Sequence, residues 1–369
     1  MKIGVLTSSR ADYGIYLPLL KLLKEDNYFK LEIIAFGTHL SKFQGHTIDD
    51  ILKFNFGKVH AISVLLSNDN EEAISTSYGI TVLKFSGFWA QNTYDLVLCL
   101  GDRFEMSAAV QAAIPFGVKF AHFYGGETTL GAIDNIYRHQ ITLASSLYFT
   151  ATQKYTDKIT DLIGTNDNVY TVGSLSLDNI EKFVPLERTV FFGKFKIEQA
   201  PYALVTFHPE TVSVLKNKGY AQEMLKALAG ITNFLNVVVT MPNADTLGAL
   251  FRESLYELKS KYSQKVILIE NFGKENYFSA MYYSKLLLGN TSSGIIEAAS
   301  FKKYVLNVGD RQKGRLQSEN TVDIPFDANQ IISQTKKYSE TGDYLGKNKY
   351  YKVEVSKTVI HKLKIYNDD

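Results

Sequence analysis

Short β-branched runs alternate with longer helix-period segments along nearly the whole chain, and this alternation restricts the fold more than any other feature. Candidate strands fall at residues 3–7, 31–37, 60–64, 96–100, 118–123, 147–151 and 169–172 in the first half. The second half offers 202–207, 236–241, 265–269, 285–288 and 304–308. Helical patterns lie between them at 12–23, 71–92, 103–114, 135–144 and 154–163, then at 218–234, 245–261, 275–283, 294–301 and 329–338. Such alternation implies parallel sheets covered by helices on both faces. The rhythm weakens over residues 173–201, where a polar, aromatic connection separates the halves. The expected fold class is α/β, with two Rossmann-like, doubly wound parallel-sheet domains facing a cleft. The domains are expected at 1–175 and 176–352; an amphipathic segment at 353–366, within the terminal 353–369, is expected to complete the first.

A chain of 369 residues is long enough for two such cores. A net charge of +2 gives no basis for a nucleic-acid or membrane-surface partner. The single cysteine, Cys99, sits in an apolar run, so neither a disulfide framework nor a cysteine-based metal site is expected within one chain. The apolar stretch at residues 3–6 is too short for a signal peptide, and no run approaches the roughly 20 residues that span a bilayer. The expected location is the cytoplasm.

Ligands of open parallel sheets bind outside the carboxyl ends of the strands. After the first strand comes Arg10, a forked cation suited to a phosphate or a base edge, and Asp12, which reads as a helix cap. No G-x-G-x-x-G follows any strand, so no dinucleotide cofactor is expected. His39 follows the second strand as a loop residue or a ligand contact. Asp102 and Arg103 follow residues 96–100, where Asp102 either caps the next helix or faces the cleft. The loop after the next strand carries Tyr124, two glycines and Glu127, and is followed by Asp134 and Arg138. The four-residue spacing of the last two fits a plain ion pair on one helix face. Three acids gathered on one cleft favour chemistry over structure.

In the second half His208, before Pro209, ends a strand, Asn243 follows the next, and Arg311 follows the last. The segment 289–297 leaves a strand and opens a helix. Its Thr291, Ser292, Ser293 and Gly294 would leave backbone N–H groups aimed at an anion such as a phosphate. Glu297, one turn in, would reach a sugar hydroxyl; an ordinary capped helix is the plain alternative. No His/Cys/Asp cluster has metal-ligand spacing, so neither a metal nor another cofactor is expected.

With these motifs in order from residue 9 to about 315, the chain resembles the hydrolysing UDP-N-acetylglucosamine 2-epimerases of sialic acid biosynthesis, within the nucleotide-sugar 2-epimerase superfamily. The resemblance rests on Ser9-Arg10-Ala11-Asp12-Tyr13, Gly101-Asp102-Arg103, Gly125-Gly126-Glu127, Asp134 with Arg138-His139, His208-Pro209, Pro242-Asn243, the 289–294 segment with Glu297, and Gly309-Asp310-Arg311-Gln312. It implies a GT-B fold holding a UDP-sugar, and a homo-oligomer, dimer or tetramer. It assigns catalysis to Asp102, Glu127, Asp134, Arg138 and His208. Substrate contacts fall to Arg10, His39, Arg103, Tyr124, Asn243, residues 291–294, Glu297 and Arg311. Tyr124 stands where many relatives carry glutamate or histidine, so any acid or base role there passes to a phenol with an ordinary pKa of ~10, or to Glu127. Competing expectations are a bacillosamine-type or GDP-linked substrate, a non-hydrolysing epimerase, a GT-B glycosyltransferase and a silent nucleotide-sugar binder.

Overall fold

Seven apolar runs of the amino-terminal half pair as parallel strands in a computed structural model, which describes all residues except 42–45, 67–69, 213, 243–247 and 369. They are β1 (Lys2–Thr7), β2 (Lys30–Phe36), β3 (Lys58–Ile62), β4 (Leu96–Leu100), β5 (Phe120–Phe123), β6 (Leu147–Thr150) and β7 (Val169–Thr171). The order across the sheet is β3-β2-β1-β4-β5-β6-β7. Register at the centre sets Ile3 opposite Leu31 on one side and Leu96 on the other. β4 is buried along its whole length because helices cover both of its faces. Val97 and Cys99 pack against Phe85, Trp89 and Phe120 on one of them.

The second sheet contains β8 (Tyr202–Thr206), β9 (Asn236–Thr240), β10 (Val266–Ile269), β11 (Leu286–Gly289), β12 (Val305–Val308) and β13 (Thr321–Ile324), in the order β10-β9-β8-β11-β12-β13. The two-residue period of a strand divides its side chains between two cores. Ala203, Val205, Val237, Val239, Leu286 and Leu288 join Met224 and Leu228 on one face. Leu204, Val238 and Leu287 join Phe191, Phe192 and Phe278 on the other.

Two compact units contain these sheets: Met1–Glu127, Asp134–Asn179 and Tyr350–Asp369 in one, Thr128–Ile133 and Ile180–Lys349 in the other. The crossings thus lie a few residues beyond 175 and before 353. The assignment of Thr128–Ile133 to the second unit has no counterpart in the sequence pattern. The terminal helix, Val355–Asp368, packs on the first unit through Val355, Val359 and Leu363, which recur every four residues and are fully buried. It starts after residue 353 because Glu354 takes a left-handed φ of 54°.

Among the described residues, three α-helices and strands escape the sequence pattern. The helix Arg188–Phe195 lies inside the stretch read as a connection, since adjacent Phe191 and Phe192 give no helical period. β13 carries Asp323 at its centre, bonded to Asn307 Nδ2 at 2.7 Å, and this edge strand buries only Ile324. The short helix Ile48–Phe54 is the third. Among the described residues no helix is long and apolar enough to cross a membrane.

Each sheet reverses its winding once, between β1 and β4 and between β8 and β11. These switch points are where an open α/β sheet presents its ligand crevice.

Candidate functional site

At the first switch point Ser9 caps the helix Arg10–Glu25 with extended backbone, and its side chain accepts from Asp12 N. The Asp12 carboxylate answers by accepting from Ser8 N at 2.9 Å, Ser9 N at 3.1 Å and Thr7 Oγ1 at 2.6 Å. This capping box satisfies donors that a helix start leaves orphaned, and it fixes partly exposed Arg10 as the first helical residue. His39 is the residue expected as a loop residue or a ligand contact. It is fully buried, with Nε2 at 2.9 Å from Thr7 Oγ1 and Nδ1 at 2.7 Å from Thr47 Oγ1. Burial lowers its pKa, so the neutral ring braces the turn that presents Arg10.

β4 ends at the other side of this switch point, and Asp102 emerges with about a quarter of its side chain exposed. Arg138, buried to 1% exposure, forms an ion pair with Asp102 Oδ2 and donates to the Glu127 carbonyl at 2.9 Å. One guanidinium therefore ties together two segments that carry predicted acids. The third, Asp134, is the first residue of the helix Asp134–Leu143 that also bears Arg138. Arg103, expected as a ligand contact, grips Glu105 of the helix it caps at 3.0 and 3.2 Å.

His122, which the sequence reading passed over, supports this arrangement from beneath. Nε2 lies 2.9 Å from the Gly101 carbonyl and Nδ1 lies 3.1 Å from Thr142 Oγ1, itself 2.9 Å from the Arg138 carbonyl. A carbonyl only accepts, so Nε2 carries the proton. Complete burial pushes the imidazole pKa down from 6.5 to about 4, and the ring is neutral at pH 7. The unfolded chain binds the extra proton first as pH falls, so this stability is present above about pH 6.5 and drains away toward pH 4. Between pH 7 and 5 the expected loss is about 2 kcal/mol from this group, read as a shift in denaturant midpoint. His122→Gln keeps a donor for Gly101 and should flatten the slope; an unchanged slope would exclude His122 as its source.

The loop between β5 and Glu127 is built on tight backbone. A side chain on Gly126, at φ 76°, would overlap the Tyr155 carbonyl. Tyr124 holds φ at 64° and places its hydroxyl 2.7 Å from Ser174 Oγ and 3.2 Å from Ser176 N. The phenol is committed to residues 174–176, which leaves Glu127 as the carboxylate of this loop.

At the second switch point a fully buried asparagine joins the two strand ends. Asn290 Oδ1 accepts from His208 N at 2.7 Å and its Nδ2 donates to the His208 carbonyl at 2.8 Å. The loop after β12 is drawn in by Gln312 Nε2, 2.9 Å from the Asn290 carbonyl, and Arg315 holds Gln312 in turn. Thr291 is the N-cap of a helix that begins at Ser292, two residues earlier than expected, runs to Ile296 and continues as a 3₁₀ turn, Ala298–Phe301. Ser293 Oγ meets Tyr277 Oη at 2.7 Å, and burial lifts that phenol to about 12, so it stays protonated. Glu297 is nearly buried at the end of the short helix. Arg311 is partly exposed. Asn243 lies outside the described residues.

The sequence reading also missed Glu210, which directly follows His208-Pro209. Its carboxylate, nearly buried and held above the usual range by that burial, accepts from Asp310 N at 2.6 Å. An acid two residues beyond a strand-ending histidine was the available signal. Among the described residues no group of three or more His, Cys, Asp or Glu is arranged to hold a metal ion.

Comparison with known proteins places these features. The family model of the UDP-N-acetylglucosamine 2-epimerases matches residues 21–364. The chain belongs to that family. The GDP/UDP-N,N'-diacetylbacillosamine 2-epimerase (hydrolyzing) of Campylobacter jejuni is 34% identical over 327 residues, covering 87% of this chain and 84% of that protein. The polysialic acid biosynthesis protein P7 of Escherichia coli is 32% identical over 343 residues, 91% of this chain and 87% of its own. A crystal structure of UDP-GlcNAc 2-epimerase from Neisseria meningitidis bound to UDP-GlcNAc superposes with a TM-score of 0.80 at 18% identity, covering 99% of this chain and 100% of that one. The enzyme therefore has the GT-B-like fold of these epimerases, with two parallel-sheet α/β domains.

Proposed function

We propose that this enzyme is a hydrolysing 2-epimerase that converts UDP-N-acetylglucosamine and water to N-acetylmannosamine and UDP. The observation that carries the reading is buried Arg138, which joins Asp102 to the Glu127 segment while Asp134 stands one turn ahead on the same helix. Removing a proton from carbon 2 while positive charge builds at carbon 1 calls for such a group of acids around the hexose. Similarity to the Campylobacter hydrolyzing enzyme, at 34% identity, supports hydrolysis over release of an epimerised UDP-sugar.

The hydrogen on carbon 2 of an N-acetylhexosamine is not adjacent to a carbonyl and resists a base acting alone. Breaking the bond from carbon 1 to the diphosphate builds oxocarbenium character, which acidifies that hydrogen. UDP leaves with the electron pair, a carboxylate takes the proton, and a 2-acetamidoglucal forms. Water then adds at carbon 1 while a proton arrives on the opposite face of carbon 2. Asp102, Glu127 and Asp134 supply the negative groups around the sugar, one of them as base. Arg10, Arg311, His208 and the backbone of residues 291–294 take the leaving diphosphate, with Glu297 reaching past it to a sugar hydroxyl. Arg138 orients Asp102.

A second reading is favoured by the same relatives: the hexose is a diacetylated bacillosamine-type sugar, the substrate named for the Campylobacter protein. Incubation with each UDP-sugar in heavy water separates the outcomes. Free N-acetylmannosamine deuterated at carbon 2 supports the lead reading. Turnover confined to the diacetylated sugar selects the second. UDP-N-acetylmannosamine as product, or no turnover of either substrate, overturns both.

A further inference from the structure

The segment Thr128–Ile133 leaves the first unit and packs on the second, although a predicted acid stands at each of its ends. Leu130 N donates to the Lys313 carbonyl at 3.0 Å, and Ile133 N donates to Thr211 Oγ1 at 2.9 Å. Gly131 is buried against the loop after β12: a side chain there would overlap the Asp310 carbonyl and stand 2.6 Å from Arg311 Cα. On the other side, a Cβ on Gly314 would come within 2.9 Å of Thr128 Cγ2. Backbone lies on backbone, so neither chain can shift alone without losing contact.

The loop that receives this strap is itself held by the residues before Thr211. Glu210 accepts from Asp310 N, and its own main chain is clamped by buried Asn217, with bonds of 2.9 Å in each direction. His208 is fixed to Asn290 at the end of β11. Four consecutive residues, 208–211, therefore gather the end of β11, the Arg311 loop and the strap.

We propose that Gly131 and Thr211 are positioning residues that seat the Thr128–Ile133 strap on the Arg311 loop, so that this seating fixes where the strap's two ends, bonded to Glu127 and Asp134, leave the second unit. The inference rests on the hydrolysing-epimerase reading for its catalytic consequence, whereas the seating of the strap is tested independently of turnover. Neither residue touches the reacting atoms. Both act through the carboxylates at the ends of the strap, where a misplacement of 1 Å costs about 100-fold in rate.

The full-length chain provides the test. Gly131→Ala should lower kcat at least roughly tenfold while the Kd for UDP, measured by calorimetry, stays within about threefold of the parent. Thr211→Val keeps the shape and removes one solvent-accessible acceptor, for an expected loss of about two- to tenfold; Thr211→Ser should restore the parent rate. UDP should also slow hydrogen–deuterium exchange in the peptide spanning residues 127–134, and do so less in Thr211→Val. Parent-like kcat in both valine and alanine variants overturns the proposal, as does a fall in kcat matched by an equal loss of UDP affinity. If the parent turns over no UDP-sugar, the functional reading fails; the exchange result then decides the strap, and equal protection by UDP in parent and Thr211→Val rejects it.

Discussion

Arg138→Met should abolish measurable turnover and destabilise the first unit by about 3–5 kcal/mol. The guanidinium is 1% exposed and serves the Asp102 carboxylate, the Glu127 carbonyl and, at 3.4 Å, Asn135 Oδ1. Methionine fills similar space and donates nothing, so those acceptors lose their partner in a setting where water replaces it poorly. About a quarter of the Asp102 side chain is exposed, and the solvation it recovers places the expected loss at the lower end of that range. Arg138→Lys separates charge from geometry. A single ammonium keeps the charge but lacks the fork that reaches Asp102 and Glu127 together, so stability should recover further than turnover does. Denaturant unfolding of the two variants, followed beside kcat, reads both effects. If Arg138→Met kept a tenth or more of the parent rate, the buried fork would have no part in arranging the acids.

Most of the sheet framework was legible in the sequence because fully covered parallel strands read as uninterrupted apolar runs, as in β4 and β11. The exceptions have physical causes. β13 buries only Ile324 of its four residues, and the helix Arg188–Phe195 anchors itself by two adjacent phenylalanines, so neither shows a period. Strand ends also marked the switch points, since the doubly wound order puts Arg10 and Asp102 at one and His208 and Thr291 at the other. What the linear pattern could not reveal was which polar residues are occupied by structure. His39 and Arg103 sit at strand ends as a ligand contact would, yet Thr7, Thr47 and Glu105 engage their polar groups. The Thr7–His39 pairing brings together residues 32 positions apart and leaves no local trace. His122 and Glu210 were missed for the converse reason: each acts on backbone, Gly101 in one case and Asp310 in the other, and backbone partners have no sequence signature.

The amide substitutions Asp102→Asn and Glu127→Gln should each lower kcat by about 1,000-fold, close to 4 kcal/mol in the barrier. Each change preserves size and removes the charge proposed to face developing positive charge at carbon 1, or to accept the proton from carbon 2. UDP affinity should stay near the parent value in both, because the groups proposed to hold the diphosphate lie mainly in the second unit. The two variants differ in what else they disturb. Glu127 meets Arg138 through its backbone carbonyl, so Glu127→Gln leaves that bond in place and reports on the carboxylate itself. Asp102→Asn also weakens the ion pair with Arg138, and a small loss of stability should accompany its loss of rate. Supplying 2-acetamidoglucal in place of the UDP-sugar bypasses the elimination, so a variant whose defect is confined to that step should hydrate the glycal at the parent rate. A kcat within about tenfold of the parent in either amide variant, only ~1.4 kcal/mol in the barrier, removes that carboxylate from the chemistry.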